Sequence, residues 1–270
     1  MKWLVLFISL LFWHFLGAYQ QTFPSTDMEK EAVPKTPPNR PFGVGEKLTY
    51  VLHYGIFNAG IAELEVHKES HPVHPEKETY HMVGKGWSTG AVDVFFKVRD
   101  RYESYMLEET LHPLEFVRRI DEGGFKMAQD YSFDPDSNVV VTQDNKTFEV
   151  PENIQDMISA FYYARTLNFD TAQIGSVYSI PAFVDNEIFN MKLKLVGRET
   201  ISTRKGKYKC LKFNPLVQEG RIFKAEEDLT VWVSDDKNRI PILAKSKILV
   251  GSIKMELKEY SGLLYDLEEE

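Results

Sequence analysis

The sequence predicts a mainly β protein: a large antiparallel sheet that curves toward a barrel or half-barrel, with one amphipathic helix packed on it. Three observations carry this expectation. About a dozen segments alternate apolar and polar residues with period two, separated by turn residues. A single segment has helical spacing. Aromatic residues make up 13% of the chain, and they suit pleated, half-buried surfaces. So many strands must hide their edges, which favours a sheet that curves or closes.

Residues 1–20 read as a secretory signal: Lys2, an apolar run from Trp3 to Leu16 and the small pair Gly17-Ala18. The run falls short of the roughly 20 residues a spanning helix needs, so cleavage is expected over the competing reading, an uncleaved anchor. No cysteine near its exit offers a lipid attachment site. Residues 21–41 hold five of the 13 prolines among Ser, Thr, Glu and Lys, and read as a disordered tether. Residues 42–262 read as one β-rich domain and 263–270 as an acidic tail, whose end Glu268–Glu270 is expected to fray.

The domain opens on a hairpin over 42–66. Leu48, Tyr50, Leu52 and Tyr54 share one strand face, and Ala62, Leu64 and Val66 alternate with Glu63, Glu65 and His67. The break at 55–60 reads as about six residues, too long for a two-residue turn, and holds the unusually apolar Ile56 and Phe57. Strands are expected at 78–89, 92–106, 112–121, 125–133 and 139–142. The helix is expected at 153–167, with Asn153 as N-cap and Asp156 completing a weak capping box; Ile154, Met157, Ile158, Phe161, Tyr162 and Arg165 share its inner face. Strands resume at 177–184, 187–196, 199–205, 207–213 and 228–234, and a last hairpin spans 240–250 and 252–260.

Charge and composition narrow the function. A net charge of -8 argues against nucleic acid and gives no attraction to anionic headgroups. The single cysteine, Cys210, lies in an alternating strand and reads as a small buried hydrophobe. Its isolation excludes a disulfide framework and suits a bacterial periplasm. Gly86-Trp87-Ser88-Thr89-Gly90 fits the nucleophile-elbow pattern, but residues 91–99 read as strand where that motif needs a helix. His67, His71 and His74 have helical ligand spacing, yet Pro72 and Pro75 forbid a helix; with His81 they read as solvated loop residues rather than a metal site. Asp134, Asp136 and Asn138 begin like a calcium loop, but Val139 stands where glycine is required, so a hairpin turn is expected. In 99–103, alternation sends Arg99, Arg101 and Glu103 to one face and Asp100 and Tyr102 to the other, either as an ion-pair ladder or as the polar lining of a cavity mouth.

Four motifs in order resemble the bacterial exported proteins grouped as domain of unknown function 3108. They are Phe42-Gly43-Val44-Gly45-Glu46-Lys47-Leu48-Thr49-Tyr50 with Gly55 and Ala59-Gly60; Phe96-Lys97-Val98-Arg99-Asp100-Arg101-Tyr102-Glu103-Ser104; Asp156-Met157-Ile158-Ser159-Ala160-Phe161-Tyr162-Tyr163-Ala164-Arg165; and Val231-Trp232-Val233-Ser234-Asp235-Asp236 with Ile240-Pro241. The resemblance implies an exported, β-rich envelope protein and brings no catalytic residues.

The leading expectation is a non-catalytic binding or carrier module for an apolar or lipid-like envelope molecule, periplasmic after signal cleavage, without a cofactor and touching the membrane through its signal alone. The alternative is an assembly protein that docks another envelope protein. A hydrolase of envelope polymers, using Glu63 and Glu65 at about 7 Å on one strand face, ranks last. Candidate ligand or partner contacts are Ile56, Phe57, Arg99, Arg101, Tyr102, Phe161, Tyr162 and Trp232.

Overall fold

The computed structural model describes residues 40–216, 229–247 and 251–270, so the signal and most of the tether lie outside the described residues. In chain order the elements are β1 (Lys47–Tyr54), β2 (Phe57–Lys68), β3 (Thr79–Ser88), α1 (Gly90–Phe95), β4 (Arg99–Leu107), β5 (Pro113–Glu122), β6 (Phe125–Asp134), β7 (Val139–Thr142), β8 (Thr147–Glu149), α2 (Met157–Thr166), β9 (Val177–Val184), β10 (Glu187–Ser202), β11 (Lys207–Leu216), β12 (Leu229–Ser234), β13 (Pro241–Lys247) and β14 (Ser252–Ser261). All fourteen strands form one antiparallel sheet, ordered β8-β7-β6-β5-β4-β3-β2-β1-β14-β13-β12-β11-β10-β9. Consecutive strands pair, except β8 and β9, which are the two edges, and β1 also pairs with β14.

The opening hairpin is tighter than its composition suggests. Tyr54 pairs with Phe57, so the turn is Gly55 and Ile56 alone, with Gly55 at φ 57°, a left-handed conformation that glycine adopts freely. A register shift after Leu52 absorbs the residue that made the break look long. Likewise, residues 187–202 form one strand where two were expected, because a shift between Leu195 and Gly197 interrupts the alternation without ending the ladder.

Two corrections concern helices. Residues 91–95, expected as strand, lie in the six-residue α1, which Gly90 opens at φ 57°. The run Ala91-Val92-Asp93-Val94-Phe95 is strand-like in composition, but it leaves the end of a paired strand, and position overrides propensity. The second helix begins later than expected. Asp156, not Asn153, is its N-cap: the Asp156 carboxylate accepts from the Ile158 and Ser159 N–H groups, and Ser159 completes the box. Asn153 sits at φ 64° in the turn before the helix.

The sheet rolls around α2 without closing. Its edge strands, β8 and β9, meet through side chains: Phe148 and Phe183 lie 5.1 Å apart, and Tyr131 packs edge-on to Phe183 at 5.0 Å. Arg118 Nη2 reaches Asp185 at 2.5 Å across the same seam. Gln155, just before α2, adds a parallel backbone bridge to Ala182. One core cluster joins α2 to the inner faces of β3–β9; a second joins Leu48, Tyr50 and Leu52 to β11–β14. In the acidic tail Leu267 is buried in the second cluster, Glu268–Glu270 are exposed, and the Glu270 N–H donates to the Lys207 carbonyl.

Candidate functional site

The two main clusters do not fill the interior. Where they meet, a cavity of about 230 Å³ remains. Its space comes from small residues on inward faces: Ala62 on β2, Gly84 on β3, Ala160 and Ala164 on α2, Ala182 on β9 and Ala244 on β13. A Cβ on Gly84 would lie 3.0 Å from Ile158 Cδ1, so this glycine also sets how closely α2 approaches the sheet. The walls are apolar. Leu52, Met255, Ala244, Val231 and Phe213 run as one cross-strand row along the sheet, and Phe161 is contributed by the helix.

Arg165, in the last turn of α2, lines the cavity and is 3% exposed. Glu46, one residue before β1 and on the Leu48 face, is its partner. Arg165 Nη1 and Nη2 donate to the two Glu46 carboxylate oxygens at 2.6 and 2.9 Å, a bidentate geometry. Nε and Nη2 also donate to the Asn238 carbonyl, and Nη2 to that of Pro41. The guanidinium lies over the rings of Phe42, Phe161 and Tyr162. Beside it, Tyr50 lines the cavity; its hydroxyl and that of Tyr162 are buried and have no hydrogen-bond partner among the described residues. Burial holds both phenols far above the usual range, so both stay neutral. At another edge of the cavity the Arg239 guanidinium lies 5.1 Å from the Phe169 ring centroid and bonds Asp170 and the Leu167 carbonyl.

The structure separates the expected contacts. Tyr102 and Phe161 line the cavity, and Tyr162 is buried in the core behind it. Arg99 and Arg101 lie on the outer face, paired with Asp93 of α1 and with Glu103 two residues on in the same strand rather than across strands, and neither lines the cavity. Trp232 faces away from cavity-lining Val231 and Val233; it lies between Lys212 and Lys245, each 5.4 Å from its ring, and donates to Glu199. Ile56 and Phe57 are 90% and 63% exposed. At the same end of the sheet, α1 exposes Val94 and Phe95.

Other motifs resolve into local structure. Ser88 ends β3 before α1, so the strand-to-helix context does exist, contrary to expectation. Its hydroxyl, however, donates to Asp93 at 2.6 Å and accepts from the Val98 N–H, and no histidine is among its described partners. His81 and His71 are buried, not solvated. His81 sits between Glu69 and Glu103 at 2.6 and 2.7 Å and stacks on Tyr105, while His71 meets Glu115 at 3.0 Å. Among the described residues no group of three or more His, Cys, Asp or Glu is arranged to hold a metal ion. Asp134 caps its own hairpin turn, accepting from the N–H groups of Asp136 and Ser137. Glu46, Tyr50 and Arg165 were not among the expected site residues. The available signal was a charged residue on the apolar face of each element.

The fold and site define a class: a rolled, open antiparallel sheet with an internal helix and an apolar interior cavity. The family model for proteins of unknown function DUF3108 matches residues 49–258, and the chain belongs to this family. Among solved structures, it is similar to a β-barrel-like protein of domain of unknown function DUF1849 from Brucella abortus. The TM-score is 0.55 at 12% identity, over 83% of this chain and 99% of that one. It also matches a DUF1089 family protein from Pseudomonas aeruginosa, with TM-score 0.30 at 10% identity, over 93% of this chain and 99% of that one. The Brucella likeness is one of fold alone. No curated protein matches the chain. No helix among the described residues is long and apolar enough to cross a membrane.

Proposed function

We propose that this protein is an exported, non-catalytic binding or carrier module for an apolar or lipid-like molecule of the bacterial envelope. The cavity carries the reading. Protein interiors are close-packed, with few voids larger than a water molecule. A concave pocket of about 230 Å³ lined almost wholly by apolar side chains is the kind of site that apolar ligands occupy. The signal-like residues 1–20 support export and a periplasmic location.

Native mass spectrometry of freshly purified protein, with binding of the fluorescent apolar probe N-phenylnaphthylamine, tests the reading. A co-purified ligand mass, or probe binding that is lost in Ala244→Phe, which fills the cavity from its wall, is the expected result. Neither a bound mass nor probe binding would defeat it.

A second reading, docking to another envelope protein, is favoured by the exposed Ile56, Phe57, Val94 and Phe95 gathered at one end of the sheet. A photo-crosslinker placed at Phe57 in cells would capture one defined protein; capture of none would remove this reading.

A further inference from the structure

The exposed apolar residues of β1 to β6 are not scattered. These strands run antiparallel in sheet order, so the β1–β2 turn, the β3–β4 connection and the β5–β6 turn emerge at one end of the sheet. Each presents a phenylalanine to solvent: Phe57, Phe95 and Phe125, with Ile56 and Val94 beside the first two. Their exposures run from 48% to 90%. Turn tips are usually built from small polar residues, so three successive apolar tips at one end call for a partner. The Thr89 N–H donates to the Ala59 carbonyl at 3.0 Å and the Gly123 N–H to the Lys97 carbonyl at 2.8 Å, which ties the three tips into one rim.

Spacing and charge say what that partner is. Strands in a sheet lie about 4.8 Å apart, so tips two strands apart repeat about every 10 Å along a row of about 20 Å. A protein partner is held by clustered anchors in the packed centre of a patch. A row of separate tips suits a surface that yields to each of them, as the boundary between headgroups and acyl chains does. The whole-chain charge of -8 gives no attraction to anionic headgroups, but it is unevenly placed. At the apolar end Asp93, Asp121 and Glu122 are matched by Lys97, Arg99 and Lys126, with Arg99 bonded to Asp93 at 2.7 Å and Lys126 to Asp121 at 3.4 Å. At the opposite end of the same strands, residues 68–78, 108–112 and 134–138 hold seven carboxylates against Lys68 and Lys77. An anionic lipid surface repels that end and leaves the apolar rim, without net charge, free to approach it.

We propose that the protein docks on the surface of a lipid bilayer through this rim, with Phe57, Phe95 and Phe125 inserted at the boundary between headgroups and acyl chains and the acidic end directed away. Composition leads to the expectation of membrane contact through the signal alone; the rim supplies a second, reversible contact that persists after the signal is removed. The contact does not depend on what the cavity holds, and it gives to lipid the end that the second reading gives to a protein.

The test is flotation of the chain freed of residues 1–20 with unilamellar vesicles of phosphatidylethanolamine and phosphatidylglycerol, joined to site-directed labelling. The chain is expected to float with the vesicles, and still to do so at about 0.5 M NaCl, where charge is screened beyond about 4 Å. Phe57→Ser, Phe95→Ser and Phe125→Ser should each weaken binding roughly tenfold, and the triple variant should stay in the soluble fraction. All three side chains are exposed, and unchanged melting temperatures confirm that the variants fold. Cys210 is buried, so an environment-sensitive nitrobenzoxadiazole label goes to an added cysteine. On vesicle addition its emission should rise in Phe57→Cys and Phe125→Cys and stay unchanged in Val73→Cys, an exposed apolar position at the acidic end. Failure to float, loss of binding at high salt, flotation of the triple variant or an equal response at Val73 would overturn the inference. So would capture of one defined protein by a crosslinker at Phe57 when vesicles are not bound. Absence of a cavity ligand and of probe binding would remove the carrier reading and leave this one standing.

Discussion

Breaking the Glu46–Arg165 pair one side at a time, and then on both sides, measures how the interior is held. Arg165 is 3% and Glu46 1% exposed, and among the described residues the guanidinium bonds only Glu46 and the buried carbonyls of Asn238 and Pro41. Arg165→Met leaves a buried carboxylate with no cation and orphans the Asn238 and Pro41 carbonyls; Glu46→Gln leaves the guanidinium with a neutral acceptor. Removing one partner of a buried pair costs about 3–5 kcal/mol, mostly through the charge left behind. The double variant Arg165→Met/Glu46→Gln leaves no charge, so its cost is expected to fall at least about 2 kcal/mol below the sum of the singles. Urea unfolding followed by tryptophan fluorescence gives the three values, provided the slope is constant across the set. Costs that add to within about 0.5 kcal/mol, or single-variant costs below about 1 kcal/mol, would refute the argument by showing that water already solvates the pair.

Three further outcomes follow from the geometry. Gly84→Val crowds Ile158 and Leu64, whose nearest carbons lie 3.0 and 3.3 Å from the first added atom, and is expected to lower stability by about 1–3 kcal/mol in chemical unfolding. Burial pushes the Asp156 carboxyl from 3.8 up to about 6, against hydrogen bonds from Ser104, Ser159 and Ile158, so the folded state holds its proton more tightly than the unfolded state. That contribution to stability is full below about pH 4 and is lost as pH rises to about 6, a change of roughly 3 kcal/mol; Asp156→Asn should flatten this part of the stability–pH curve, and an unchanged slope would refute the assignment. Burial likewise pushes the Cys210 thiol up to about 12, so a thiol reagent at neutral pH should label it only after urea unfolding; rapid labelling of the native protein would contradict its burial.

Much of the sheet was legible because one face of each strand is wet. Arg99–Leu107 alternates between outer ion pairs and inner Asp100, Tyr102 and Ser104 just as its residues do, and β7 and β9 keep their expected bounds. The failures have local causes. Residues 91–95 are apolar in either conformation, so composition could not separate α1 from strand. The hairpin looked open because a bulge, invisible to a period-two count, displaced its last pairs. The cavity was illegible for a different reason. Its lining comes from eleven separated elements, and each residue looks like ordinary core; a void is a property of how faces meet. Arg165 did stand on the helix's apolar face in the sequence, but its partner lies 119 residues away. An unpaired tyrosine hydroxyl leaves no trace in a sequence at all.

The pairing of β1 with β14 has a kinetic consequence. The remaining strands form two local meanders, β2 to β8 and β9 to β13, each built from sequence neighbours. Their backbones pair only where the first strand meets the last, so the most distant strand pairing along the chain is also the one that unites the sheet. Such non-local closure slows folding, because loop entropy must be surrendered before the contact rewards it. A chain emerging amino end first would carry two half-sheets until β14 arrived. The roof of the cavity, shared by Leu52 and Met255 across that very junction, would be the last part of the molecule to exist.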